Sequence, residues 1–148
     1  MNKQKIAALL LIYVLITQSL CASPEERAQM LKSRILQRMI SDGWQLVQES
    51  QSLLILERPI TGMNEFAVRL LTTGANGSRP VFRWSLAVIP ATDHYSALQA
   101  AGSINSQNAF GQMTSIPATR GNNREYILGV LASASARMPA KYKYSAPQ

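Results

Sequence analysis

The run Arg79-Pro80-Val81-Phe82-Arg83-Trp84-Ser85-Leu86-Ala87-Val88-Ile89-Pro90 constrains the fold more than any other part of the chain. Side chains alternate faces along an extended strand, so Phe82, Trp84, Leu86 and Val88 fall on one face and Arg83, Ser85 and Ala87 on the other. This period-two pattern predicts a strand with one wet and one buried face. Proline cannot donate to a ladder, so Pro80 and Pro90 are expected to fence it. A strand with two aromatics on one face needs a second layer to cover them.

Helical patterns lie on both sides of this strand. Ser23 followed by Pro24 and, three residues on, Glu26 has the form of a capping box with proline in the first turn. Ala28, Leu31, Ile35, Leu36 and Met39 recur at helical spacing. Arg27, Lys32, Arg34 and Arg38 lie mainly off that stripe, and Asp42-Gly43 is expected to stop the helix. Trp44–Glu49 and Leu53–Arg58 read as two strands joined by the polar turn Ser50-Gln51-Ser52 and ended by Pro59. Residues 62–73 fit a strand or a short helix with Met63, Phe66, Ala67, Leu70 and Leu71 on one face, and the helix is preferred. Asn76-Gly77 is a hairpin-turn dipeptide.

After the central strand, Ala91–His94 reads as a turn and Tyr95–Ile104 as a strand pairing back. The small residues of that strand imply a close-packed neighbour. Residues 103–121 read as a long irregular loop, of the kind that carries function. Asn122 is expected to cap a last helix with Tyr126, Ile127, Val130, Leu131 and Ala134 buried, ended by Met138-Pro139. The expected fold is α+β: a two-layer sandwich whose four-stranded antiparallel sheet carries the N- and C-terminal helices on one face, in the order α-β-β-(short α)-β-β-α.

The first residues read differently. Lys3 and Lys5 precede the unbroken apolar run Ile6–Ile16, followed by Thr17-Gln18-Ser19-Leu20-Cys21-Ala22. This is the plan of a secretory signal peptide, and the run is about half of the roughly 20 residues that a spanning helix needs. The chain therefore divides into a signal peptide (1–22), one α+β domain (23–139) and a flexible C-terminal tail (140–148). Two processing fates follow. Cys21 as a lipidated first mature residue would anchor the domain to a bacterial membrane, while cleavage after Ala22 would release it into the periplasm. Cys21 is the one cysteine, so no internal disulfide can form.

Gly43-Trp44 opening a hairpin, the strand Leu54–Pro59, and Asn108-Ala109-Phe110-Gly111-Gln112 ahead of a final helix resemble small exported bacterial α+β domains, often lipoproteins. The resemblance spans nearly all of the chain after the leader. It implies a cell-envelope location and lends no activity, cofactor or site residue.

The sequence offers little chemistry. His94, the single histidine, neighbours Asp93 in an expected exposed turn. No His, Cys, Asp or Glu cluster has metal-ligand spacing, no glycine-rich phosphate loop follows a strand, and no nucleophile motif is present. Neither catalytic residues nor a cofactor are expected, and the chain reads as a non-enzyme. The 15 basic and 8 acidic residues give +7, or +5 once Lys3 and Lys5 leave with the leader. The bases are scattered, which disfavours nucleic acid as a partner.

Three functions are weighed. The first is a non-catalytic binding or assembly module for an envelope protein or membrane surface, using Asn105, Asn108, Phe110, Gln112 and Arg120 and an uncovered sheet face. The second is a carrier of a small apolar ligand in a sheet–helix cavity lined by Trp44, Phe82 and Trp84. The third is anion or nucleic-acid binding through Arg79, Arg83, Arg120 and Arg124.

Overall fold

The computed structural model describes residues 23–72, 77–92, 95–136 and 143–145. The leader with Cys21, the turn residue Asn76, the Asp93-His94 pair and the Met138-Pro139 stop all lie outside these residues. The fold is α+β, with three helices and an antiparallel meander among the described residues. In chain order the elements are α1 (Pro24–Ser41), β1 (Gln45–Glu49), β2 (Leu53–Pro59), α2 (Met63–Thr72), β3 (Val81–Thr92), β4 (Tyr95–Gln107), β5 (Met113–Pro117), α3 (Asn122–Ser135) and β6 (Lys143–Ser145). The sheet runs β1-β2-β3-β4-β5, each pair antiparallel, and β6 lies parallel to the start of β4.

The central strand is β3. Phe82, Trp84, Leu86 and Val88 are buried, as their alternation requires, and Trp84 is only 1% exposed. Leu54 and Leu56 of β2 pair with Leu86 and Trp84, and Leu98 of β4 pairs with Val88, so one sheet face forms a continuous apolar floor. Ala28, Leu31, Ile35 and Met39 of α1 join Ile127, Val130, Leu131 and Ala134 of α3 in the same core. Both long helices therefore serve one face of the sheet.

α1 begins as its sequence dictates. The Ser23 hydroxyl accepts from the Glu26 backbone N–H at 3.2 Å, and Glu26 accepts from the Ser23 N–H at 2.9 Å. At its end Gly43 takes φ +89°, the left-handed conformation that turns the chain toward β1. Lys32 is a surprise on this helix. It lies buried and reaches Glu49 at 2.8 Å and the Ser50 carbonyl at 2.7 Å, which ties the helix to the β1–β2 turn.

The structure corrects several expectations. Pro90 does not end β3, which continues to Thr92 with its register broken between Pro90 and Thr92, the kind of irregularity where a strand tolerates proline. The stretch expected as a loop holds a fifth strand. β4 runs on to Gln107, turns, and returns as β5, with Asn105 opposite Ser115 and Gln107 opposite Met113. Four of the five β5 residues are exposed, so no alternation betrays the strand. Asn122 is not a cap: Gly121, at φ +61°, holds that position with no side-chain hydrogen bond. Within the stretch expected as a tail, Lys143–Ser145 pairs with Tyr95–Ala97.

Gly102 explains the small residues of β4. It faces Trp84 across the ladder, and a Cβ there would lie 3.0 Å from both Phe82 Cζ and Trp84 Cζ3. The rings of β3 occupy the space where a β4 side chain would stand. Among the described residues, no helix is long and apolar enough to cross a membrane.

Candidate functional site

Two ends of the molecule can be told apart from the register. At one, Gln29 and Lys32 of α1 donate to the carbonyls of Gln51 and Ser50 in the β1–β2 turn. At the other, β2 ends at Pro59, β3 begins opposite Arg58 and Pro59, and the β4–β5 turn closes. α2 connects β2 to β3, so it lies at this second end, as does the C-terminal end of α1 leading into Trp44.

α2 forms a helix, as preferred from sequence, but it does not present its apolar stripe to the core. Met63, Phe66, Leu70 and Leu71 are 90%, 64%, 59% and 83% exposed. They recur at i, i+3, i+7 and i+8 on the outward side. The side that borders the end of the sheet carries Asn64, Ala67 and Val68, of which Val68 alone is half-buried. A third side is charged: Glu65 Oε1 accepts from Arg69 Nη2 at 2.9 Å and from Arg79 Nε at 3.4 Å. That shared carboxylate pins the helix to the chain entering β3.

Between α2 and the sheet lies an open cavity of about 510 Å³. Its apolar lining is Ile60, Ala67, Val68, Phe82 and Ile104; Arg58, Asn64 and Asn123 add polar groups. Arg58 is fixed by the indole of Trp44, with its guanidinium carbon 4.6 Å from the ring centroid. Trp44 in turn packs edge-on to Phe82 at 5.6 Å and stacks on Tyr126 at 5.9 Å. Tyr126 Oη donates to Asp42 Oδ2 at 3.0 Å. Burial, then this hydrogen bond and the Asp42 charge, hold the phenol well above its usual pKa, and the Trp44 and Arg58 side chains only partly oppose them. The stack Arg58–Trp44–Tyr126–Asp42 is thus one connected wall beside the cavity.

The residues singled out from sequence are dispersed differently. Asn108, Phe110 and Gln112 come together in the β4–β5 turn, where Asn108 Oδ1 accepts from the Phe110 and Gln112 N–H groups at 3.0 and 2.9 Å. The turn throws Phe110 outward, 90% exposed, at the same end of the sheet as α2. Asn105 does not belong to this surface: it is a buried β4 residue whose amide donates to Ser103 Oγ at 3.3 Å. Arg120 is exposed between β5 and α3. Arg83 and Arg79 are held by carboxylates, Arg83 by Glu57 at 2.6 Å and Arg79 by Glu65. Arg124 is exposed on α3. Trp44 and Trp84 are core residues, and of the three aromatics expected to line a cavity only Phe82 does so.

Sequence reasoning missed Arg58, Asn64 and Asn123 at this site. One signal was present. An arginine directly before Pro59 at the end of an apolar strand, facing the same way as Leu54 and Leu56, places a cation on the core face where the sheet runs out. The face of the sheet away from the helices carries Arg83, Ser85, Ala87 and Gln99 together with the apolar Ile55, Val81 and Ile89, and among the described side chains of β3 and β4 it shows no exposed tryptophan, tyrosine or leucine. Among the described residues no group of three or more His, Cys, Asp or Glu converges. No family model matches the chain, and no curated protein or solved structure matches it either.

Proposed function

We propose that this chain is an exported cell-envelope domain that works as a non-catalytic binding or assembly module, docking on a protein partner through its α2 end. The observation that carries this reading is the outward apolar stripe of α2. A short helix normally turns such a stripe inward; here the least exposed residues of the helix are Glu65, Val68 and Arg69. Phe110 and Met113 are exposed at the same end of the sheet, and the Glu65–Arg69–Arg79 network stands beside the stripe. Apolar patches with polar rims are typical of protein-binding surfaces.

The direction of α1 favours a protein over the membrane that the leader would enter. Ser23 caps the N-terminus of α1, at the end of the molecule opposite α2. The 18 residues of α1 span about 27 Å at the usual rise. A leader or a lipid on Cys21 would attach upstream of Ser23, so α2 would face away from that bilayer. The resemblance to exported bacterial domains supports the envelope location in either the periplasmic or the anchored form.

The test is photo-crosslinking in intact cells from Phe66 and Leu70, with Ala87 on the opposite sheet face as control. One and the same protein captured from both α2 positions, not from Ala87, and lost with Leu71→Asp, supports the reading. Lipid adducts alone, or equal capture from Ala87, would overturn it. Acyl labelling with Cys21→Ala as control separates the anchored from the released form.

A further inference from the structure

The cavity beneath α2 has a chemistry of its own. We propose that it is a binding site for a single amphiphile with one anionic head, a carboxylate or a phosphate, on an apolar chain. The head would sit on Arg58 and the chain along Val68, Phe82 and Ile104. This assignment does not rest on the partner of the outward stripe, because the cation and most of the apolar bed (Arg58, Phe82 and Ile104) lie off the helix altogether.

Three observations converge. The cavity is about 510 Å³, within the usual range for small-molecule sites of roughly 300–1,000 Å³, and suits one chain rather than a protein segment. Its bed is apolar and partly buried, since Ile60 and Ile104 pack on the core and Phe82 is 9% exposed. Finally, Arg58 is a cation without a carboxylate among the described residues. Asp42 is engaged by Arg38 and Tyr126, Glu57 by Arg83, and Glu65 by Arg69 and Arg79. The Trp44 face orients the guanidinium but leaves its N–H fork unneutralised. A guanidinium fork matches carboxylate or phosphate oxygens in two parallel hydrogen bonds.

The polar rim fits the same ligand. Asn123 already donates to the Ala118 carbonyl at 2.8 Å, which fixes its amide at the cavity wall, and Asn64 stands on the exposed edge of α2. A neutral apolar ligand would fill the bed and leave Arg58 unanswered. A small hydrophilic anion would answer Arg58 and leave the bed wet. Only a molecule with both parts satisfies the whole lining.

The experiment titrates the purified protein with dodecanoate, dodecyl phosphate and dodecanol below their aggregation thresholds, by calorimetry and by tryptophan fluorescence, since Trp44 lies under Arg58. One-to-one saturable binding of either anionic probe is expected, with dodecanol at least about tenfold weaker, as loss of a charge-assisted hydrogen bond implies. Whichever anion binds tighter identifies the head group. Arg58→Gln should erase the preference for the anions, and Ala67→Trp, from an exposed position, should fill the cavity and abolish binding. Asn64→Asp, which adds a negative charge at the rim without touching the core, should weaken both anions by a similar factor. Phe66→Asp, on the side of α2 turned farthest from Asn64 and Val68, should leave the titration unchanged, so failure of the docking reading and failure of this one are separable. Equal affinity for dodecanol, an unchanged Arg58→Gln variant, unsaturable uptake, or a dimer in light scattering that buries the cavity would overturn the proposal.

Discussion

Replacing Gly102 with alanine probes the tightest contact in the core. The added methyl would stand 3.0 Å from Phe82 Cζ and Trp84 Cζ3 and 3.1 Å from Trp84 Cη2, where carbon atoms prefer roughly 3.5–4.0 Å. Phe82 borders the cavity under α2 and can swing toward it. Trp84, 1% exposed in mid-core, has no such outlet. Overpacking of this kind costs about 1–3 kcal/mol. Alanine recovers about 0.5–1 kcal/mol of backbone entropy relative to glycine within a strand. The backbone itself adds no strain, because Gly102 is not among the glycines with positive φ. The mid-values of the two ranges leave a net loss of about 1 kcal/mol, or a fall in Tm of about 2–8 °C. Urea denaturation followed by tryptophan fluorescence reads it directly, because Trp44 and Trp84 both lie in the cluster. The midpoint should fall with the slope unchanged. In the double variant Gly102→Ala/Trp84→Phe, the smaller ring should accept the methyl and give a coupling of at least about 0.5 kcal/mol. A Gly102→Ala protein as stable as the parent, or strict additivity in the cycle, would refute the steric account.

Other perturbations should separate the faces of the helices. Ile35→Ala in α1, fully buried, should cost about 2–5 kcal/mol, whereas Leu71→Ser on α2, 83% exposed, should change stability by no more than about 0.5 kcal/mol; paired melting curves decide. Lys32→Met removes the donor to Glu49 and the Ser50 carbonyl and should cost about 1–2 kcal/mol, while Glu49→Gln, at the exposed end of the pair, should cost less than about 1 kcal/mol in the same assay. Tyr126 should also make the fold sensitive to alkali. Its phenol pKa is raised in the folded state, so stability is fully present below the unfolded value of about 10. It declines as pH rises above that value toward the folded one, because only the unfolded chain then loses the proton. Tyr126→Phe should flatten that decline, and denaturation midpoints measured across alkaline pH will show whether it does.

The sequence announced those parts of the fold whose side chains report directly on solvent. β3 was legible because four buried residues alternate with smaller or polar ones, and α1 because cap, stripe and stop agree. β5 was illegible for the opposite reason: Met113–Pro117 is held by backbone pairing to β4 at a mostly exposed edge, so its side chains carry no period. α2 was legible as a helix but not in its orientation. Periodicity locates an apolar stripe and cannot say that the least exposed side will be Glu65, Val68 and Arg69. The candidate cavity was partly foreseen through Phe82. Its cation was not, because the special position of Arg58 depends on where α2 leaves the end of the sheet uncovered, and on which carboxylates the other arginines take.

The outer rail of β4 is occupied piecemeal. Lys143–Ser145 takes Tyr95–Ala97, the Ala118 N–H and the Thr119 hydroxyl meet the backbone of Gly102, and β5 takes Ser103–Gln107. β4, the longest of the described strands, thus offers little bare backbone to a stray chain outside the short stretch Leu98–Ala101. The opposite border of the sheet is β1, five residues long and interrupted by an irregular step between Leu46 and Gln48, a poor template for recruiting foreign strands. Clipping the last residues would therefore unmask the Tyr95–Ala97 segment, and self-association should begin there rather than at the greasy helix.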